Sequence, residues 1–124
     1  MTVSRIFVIL AGLFGALGVG LAALAAHAYA GTSLASAATM LSLHAPALLG
    51  IAALSVTGHA HGPTLRLGGW GLVLGTALFS GDIACRVLTG LAPVPFAAPL
   101  GGSLLIVAWA VIAVAGLLGT RRIP

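Results

Sequence analysis

The residues with the clearest chemical potential are Asp82 and Arg86, in the stretch FSGDIACR. Asp82 is the single acidic residue of a chain of 124 residues. Residues four apart share one face of a helix, so this carboxylate and guanidinium can pair. Because a lone carboxylate at the membrane centre costs about 2.5–3.5 kcal/mol, the preferred interpretation is a satisfied polar network that fixes helix packing. A carboxylate that binds a cation or relays a proton is the alternative.

His44 and Trp109 are further candidates for a polar site. His44 lies two residues before Pro46. A proline inside a helix leaves the carbonyl four residues earlier, here that of Ser42, without its usual hydrogen-bond donor. Trp109 is expected too deep in the membrane for the interfacial aromatic belt, so its indole N–H needs an acceptor. A satisfied core histidine is the favoured role of His44. The candidate polar cluster is expected in the outer half of the bundle and comprises His27, His44, Asp82, Arg86 and Trp109.

Haem or metal binding is a weaker hypothesis. Two facing histidines such as His27 and His44 can hold haem in a helical bundle, and Cys85 could join a histidine in binding copper. The expected depths of the two histidines differ by about 15 Å, which argues against shared ligation. His59 and His61 form a weak metal pattern in a connection. No cofactor and no metal site are therefore predicted.

The sequence disfavours an enzyme. Paired carboxylates and the common nucleotide-binding and metalloprotease motifs do not occur in it. Ser80 and Ser103 lack a convincing base that would activate them as nucleophiles. No catalytic residue is predicted.

The composition indicates a protein solvated by lipid. Hydrophobic residues make up 60% of the chain and charged residues 5%, against about a quarter charged in typical soluble domains. The formal net charge of +4 comes from arginines, most of which stand singly and are not interleaved with aromatic residues. We therefore expect the lipid bilayer as a partner and no nucleic acid.

Four apolar runs predict an all-α polytopic membrane protein, a single domain over residues 1–124 that forms a bundle of four transmembrane helices. The predicted helices cover about 6–26, 34–57, 68–90 and 99–119. Each run is close to the length of about 20 residues that crosses a hydrocarbon core as a helix. The runs lack the alternating polarity of membrane strands.

Arginine positions predict the orientation of the bundle. With four spans, Arg5, Arg66, Arg121 and Arg122 fall on one side, and Arg86 lies near the other. The positive-inside rule places the arginine-rich side, with both termini, in the cytoplasm.

Small residues at helical spacing predict the packing faces, because helices in lipid associate through close contacts of small residues. Packing within the bundle is the favoured role, and dimerisation through an exposed stripe is the alternative. The predicted packing residues are Gly12, Ala16 and Gly20 in the first helix, Gly71 and Gly75 in the third, and Gly102 in the fourth.

Four segments together resemble the domain of unknown function 423 family of small bacterial inner-membrane proteins, which is related to animal transmembrane protein 256. The segments are GALGVGLAALAAHA, LHAPALL, LFSGDIACRVLTG and APLGGSLLIVAW. The resemblance implies a four-helix bundle in the inner membrane and no known activity. Pro46 and the stretch DIACR depart from the family pattern, which implies that Asp82 and Arg86 are not a family-wide centre.

The leading functional hypothesis is a non-enzymatic membrane protein that acts through helix contacts, as an accessory subunit of a larger membrane complex or as a homo-oligomer. The alternatives are a small transporter or ligand-binding protein that uses His44, Asp82 and Arg86, and a haem- or metal-binding protein.

Overall fold

A computed structural model describes residues 1–119, and these residues form four α-helices. The helices are α1 (Val3–His27), α2 (Leu34–Thr57), α3 (Gly62–Thr89) and α4 (Ala97–Leu117). All four are long and apolar enough to cross a membrane. The predicted all-α fold with four membrane helices is confirmed.

Three helices, α1, α3 and α4, begin earlier than the sequence suggested, and α4 begins at Ala97. The helix α3 begins at Gly62 and not near Gly68, because Pro63 is tolerated in a first turn, where its missing N–H has no intrahelical acceptor. The α1 helix begins at Val3, after Thr2, whose hydroxyl accepts a hydrogen bond from the Arg5 backbone N–H at 3.4 Å.

Consecutive helices pack as antiparallel neighbours: α1 on α2, α2 on α3, and α3 on α4. The bundle is open, because α4 makes no close backbone approach to α1, and the Cα atoms of α2 and α4 stay more than 8 Å apart. The two outer helices therefore present broad apolar faces to the surroundings, which suits a lipid solvent.

One end of the bundle holds the starts of α1 and α3 and the end of α4. The rings of Phe7 and Trp70 pack there in a tilted arrangement with centroids 5.3 Å apart, and the backbone N–H of His61 donates to the carbonyl of Ala115 at 2.9 Å. We call this the Arg66 end, and the opposite end the Arg86 end. Arg121 and Arg122, which the positive-inside argument also used, lie outside the described residues.

The face of α1 that packs on α2 differs from the predicted stripe. The buried positions of α1 include Phe7, Phe14 and Gly18. A Cβ at Gly18 would lie 3.0 Å from the backbone nitrogen of Ser42, so only glycine allows this approach of the two helices.

The predicted stripe of α1 points away from the other helices. Gly12, Ala16 and Gly20 are exposed, and a Cβ at Gly12 or Gly20 would meet nothing within 4 Å in the part of the chain that the structure describes. Packing of this stripe within the chain was therefore a wrong expectation. Regular spacing fixes which residues share a face, but the partner of that face depends on the rotation of the helix.

Glycines bring α3 and α4 into close backbone contact. A Cβ at Gly71 would lie 2.7 Å from that of Ala108, and a Cβ at Gly75 would lie 3.0 Å from the carbonyl oxygen of Gly101. The tightest position of α4 is Gly101 and not the predicted Gly102, whose added Cβ would approach Phe79 only to 3.7 Å.

Candidate functional site: two polar junctions on one helix

The first polar junction joins α3 to the start of α4. The Arg86 Nε donates to both carboxylate oxygens of Asp82 at 3.1 Å, and the backbone N–H of Ala98 donates to Asp82 Oδ2 at 3.2 Å. The Asp82 side chain is 2% exposed and that of Arg86 is 50% exposed. The carboxylate is therefore enclosed and bonded, while its cationic partner reaches outward.

Asp82 serves as a cap for α4 supplied by another helix. The first turn of any helix leaves backbone N–H groups without intrahelical acceptors, and Ala98 lies in that turn. The residue before α4, Phe96, has no capping side chain and adopts a left-handed backbone with φ 59°. A carboxylate near a helix N-terminus also interacts favourably with the helix dipole. Arg86 and the start of α4 together compensate the single negative side chain.

The second polar junction joins α4 to α2. The indole Nε1–H of Trp109 donates to Nε2 of His44 at 3.3 Å, and the other ring nitrogen, Nδ1, lies 2.8 Å from the carbonyl oxygen of Met40. The His44 residue is 2% exposed. This bond supplies a direct link between two helices whose backbones do not approach each other.

These partners assign one tautomer to His44. The indole nitrogen of Trp109 can only donate, so Nε2 must accept and carries no hydrogen. The carbonyl of Met40 can only accept, so Nδ1 carries the hydrogen. Both ring nitrogens are thereby occupied, and ligation of a metal through Nε2 would require the bond to Trp109 to break.

A groove of about 340 Å³ lies beside this junction, between α2 and α4. Its wall includes Leu43, Phe79 and Ile106, and it is almost entirely apolar. The groove exists because α2 and α4 are bridged by side chains and not packed backbone to backbone.

The structure does not bring the five predicted cluster residues together. Asp82 pairs with Arg86, His44 pairs with Trp109, and no hydrogen bond joins the two pairs. His27 is exposed at the end of α1 and bonds to none of the other four. The expected single cluster is therefore two separate junctions, with His27 outside both.

Two participants were missed from the sequence. The Ser80 hydroxyl is buried and donates to the carbonyl of Ala37 at 2.9 Å, which joins α3 to α2. Ala98 contributes only a backbone N–H, and an alanine carries no side-chain signal of that role. Ser80 could have been suspected as a hydroxyl on an apolar helix that needs an acceptor.

The fold and the two junctions define a small four-helix membrane protein in which polar groups of the spans bond helix to helix. The chain belongs to the family described as "Protein of unknown function (DUF423)", whose model matches residues 14–102. The match includes Asp82, Arg86 and Ala98 and stops before Trp109. Among curated proteins and solved structures, none matches the chain.

Proposed function

We propose that this chain is a non-enzymatic protein of the bacterial inner membrane that acts through helix contacts, with a second copy of itself or with a larger membrane complex. Both termini lie in the cytoplasm in this proposal. The observation that carries it is the use of the polar groups: Asp82, His44 and Ser80 each bond to a neighbouring helix.

Those bonds leave little polar capacity for chemistry on a substrate. The Asp82 carboxylate already accepts bonds from Arg86 and from the start of α4, and His44 has both ring nitrogens occupied. A transporter that used these residues would have to break bonds that hold α4 to its neighbours. Helix contact is therefore the function that the site supports best.

The outer face of α1 supplies the contact surface in this proposal. Gly12, Ala16 and Gly20 follow one another at intervals of four residues, and no neighbour among residues 1–119 covers the two glycines. Small residues at such spacing let two helices approach closely in lipid, where dispersion and weak backbone contacts drive association.

Self-association can be measured by energy transfer between labelled copies in bilayers at graded protein-to-lipid ratios. We expect the wild-type chain to associate and the double variant Gly12→Leu/Gly20→Leu to remain monomeric. Gly50→Leu is the matched control, because Gly50 is also an open glycine within a helix, here α2. A monomeric wild-type chain at every ratio, or an equal loss in the control, would contradict self-association through α1.

Orientation can be tested with single cysteines in a Cys85→Ser background. Ser33 follows α1 at the Arg86 end, and His59 lies in the connection at the Arg66 end. A membrane-impermeant maleimide should label Ser33→Cys in intact spheroplasts and should label His59→Cys only after lysis. The reverse pattern would place the termini outside the cytoplasm.

A further inference from the structure

Arg86 has N–H donors for which the described part of the chain provides no acceptor. Its Nε is bonded to Asp82, while its two terminal amino groups have no partner among residues 1–119. An arginine side chain has five N–H donors, so most of its capacity is unused. The side chain is half exposed, so these amino groups can reach an external acceptor.

The position of Arg86 matches a membrane surface. The helix α3 has 28 residues and is about 42 Å long, which exceeds a hydrocarbon core of about 30 Å. Arg66 and Arg86 are both exposed on α3 and lie about 30 Å apart along its axis. When Arg66 lies at one boundary of the core, Arg86 lies at the other, at the level of the lipid headgroups.

The connection after α3 adds an apolar surface at the same end. Leu91, Val94 and Phe96 are 66%, 50% and 74% exposed in the short segment that leads to α4. Large apolar side chains that lie outside the helices, yet at their membrane end, gain by inserting into the boundary between headgroups and acyl chains. This end of the molecule therefore combines a cation with an apolar rim.

The free donors of the guanidinium favour an anion. The charges of Asp82 and Arg86 offset each other, while the terminal amino groups of Arg86 keep N–H donors for an external acceptor. Asp82 also orients the guanidinium through Nε, which leaves the terminal amino groups directed elsewhere. The planar guanidinium matches the oxygens of a phosphate.

We propose that Arg86, oriented by Asp82, binds the phosphate of a glycerophospholipid headgroup at the Arg86 end of the bundle, with Val94 and Phe96 in contact with the lipid's apolar part. This lipid site is independent of self-association through α1 and depends only on the membrane-spanning fold.

Native mass spectrometry of the full chain tests the proposal. Phosphatidylglycerol or diacylglycerol is added to the protein in detergent, and the lipid that stays bound after release from the detergent is counted. We expect one retained phosphatidylglycerol and no retained diacylglycerol, which lacks the phosphate. Arg86→Gln should lower the retention of phosphatidylglycerol about tenfold, the loss typical of one charge-assisted hydrogen bond. Arg66→Gln removes the same charge at the opposite end and should leave this retention unchanged.

A second variant controls for the possibility that Arg86→Gln loses the lipid through misfolding. The double variant Asp82→Asn/Arg86→Gln removes both charges and keeps an amide oxygen that can accept from the Ala98 N–H. It should fold and should also lose the lipid. Equal retention of both lipids, an equal loss in Arg66→Gln, or wild-type retention in the double variant would overturn the proposal. Displacement of the lipid by inorganic phosphate would assign the site to a free anion and would overturn it as well.

Discussion

Helix α4 is held to its two neighbours in different ways. Against α3 it makes close backbone contact at Gly101, and its first turn is capped by Asp82. Against α2 it makes one side-chain hydrogen bond, from Trp109 to His44, beside an apolar groove. The first junction is charged and lies toward the Arg86 end of the bundle, whereas the second is neutral and lies near the middles of α2 and α4.

The difference follows from the local dielectric environment. A charged group is tolerated where headgroups and water can reach its partner, and Arg86 satisfies that condition at the end of α3. Deeper in the hydrocarbon, a neutral donor and acceptor such as Trp109 and His44 link two helices with a smaller desolvation cost. The bundle therefore depends on α3 to hold α4 firmly, and α2 adds a weaker link.

The largest effect should come from Asp82→Ala. This change leaves the Ala98 N–H without its acceptor and Arg86 without its partner. We expect the free energy of unfolding to fall by about 2–3 kcal/mol. This loss is smaller than that for a fully buried ion pair, because Arg86 is half exposed. Steric trapping in bicelles measures the free energy of unfolding of the wild-type chain and the variant. Asp82→Asn keeps an acceptor and should lose clearly less. An equal loss in both variants would show that charge, and not capping, holds this junction.

The backbone contact should be nearly as sensitive. In Gly101→Ala the new Cβ would lie 2.6 Å from the backbone nitrogen of Phe79, so α3 and α4 must separate, at a cost of about 1–3 kcal/mol. Gly102→Ala is the matched control, with ordinary contact at 3.7 Å and an expected change near zero. The same unfolding assay compares them. Similar losses would mean that the close approach of the two helices does not limit stability.

The deeper junction should contribute less. Trp109→Phe removes the indole donor, and hydrogen bonds between membrane helices average about 0.6 kcal/mol in double-mutant cycles. A cycle with His44→Phe isolates the pair, with an expected coupling of about 0.6–1.7 kcal/mol. A coupling as large as the loss in Asp82→Ala would remove the contrast between the two junctions.

The smallest expected effect concerns the position of the ring hydrogen of His44, which NMR spectroscopy can detect. The bonds of His44 to Met40 and Trp109 require a neutral ring with its hydrogen on Nδ1. Nitrogen-15 NMR of labelled protein in bilayers should show that tautomer for His44. In Trp109→Phe the nitrogen-15 chemical shift of His44 Nε2 should change, because this nitrogen loses its hydrogen-bond donor. A hydrogen on Nε2 in the wild-type chain would contradict the bond to Trp109.

Much of the fold and part of the site follow from the sequence. The four spans are predictable because solvation by lipid depends on local composition. The pairing of Asp82 with Arg86 is predictable because both residues lie on one helix, where spacing fixes distance. The start of α3 was not predictable, because glycine and proline mark a loop and a first helical turn alike.

Contacts between helices required the tertiary structure. The face of α1 with Gly12 and Gly20 looks as suitable for packing as the face with Gly18, yet of these three glycines only Gly18 meets a neighbour among the described residues. In a soluble helix the apolar side points inward, but in lipid both sides are apolar, so polarity does not indicate the rotation of a helix.

The sequence by itself therefore determined the class of protein, its four membrane helices and the ion pair within α3. The tertiary structure decided that Asp82 caps α4, that Trp109 bonds to His44, and that the backbone of α4 makes no close approach to α1. The physical reason is the range of the interactions involved. Lipid solvation and spacing within a helix are local properties, whereas a cap or bond between helices exists only when packing sets their rotation and register.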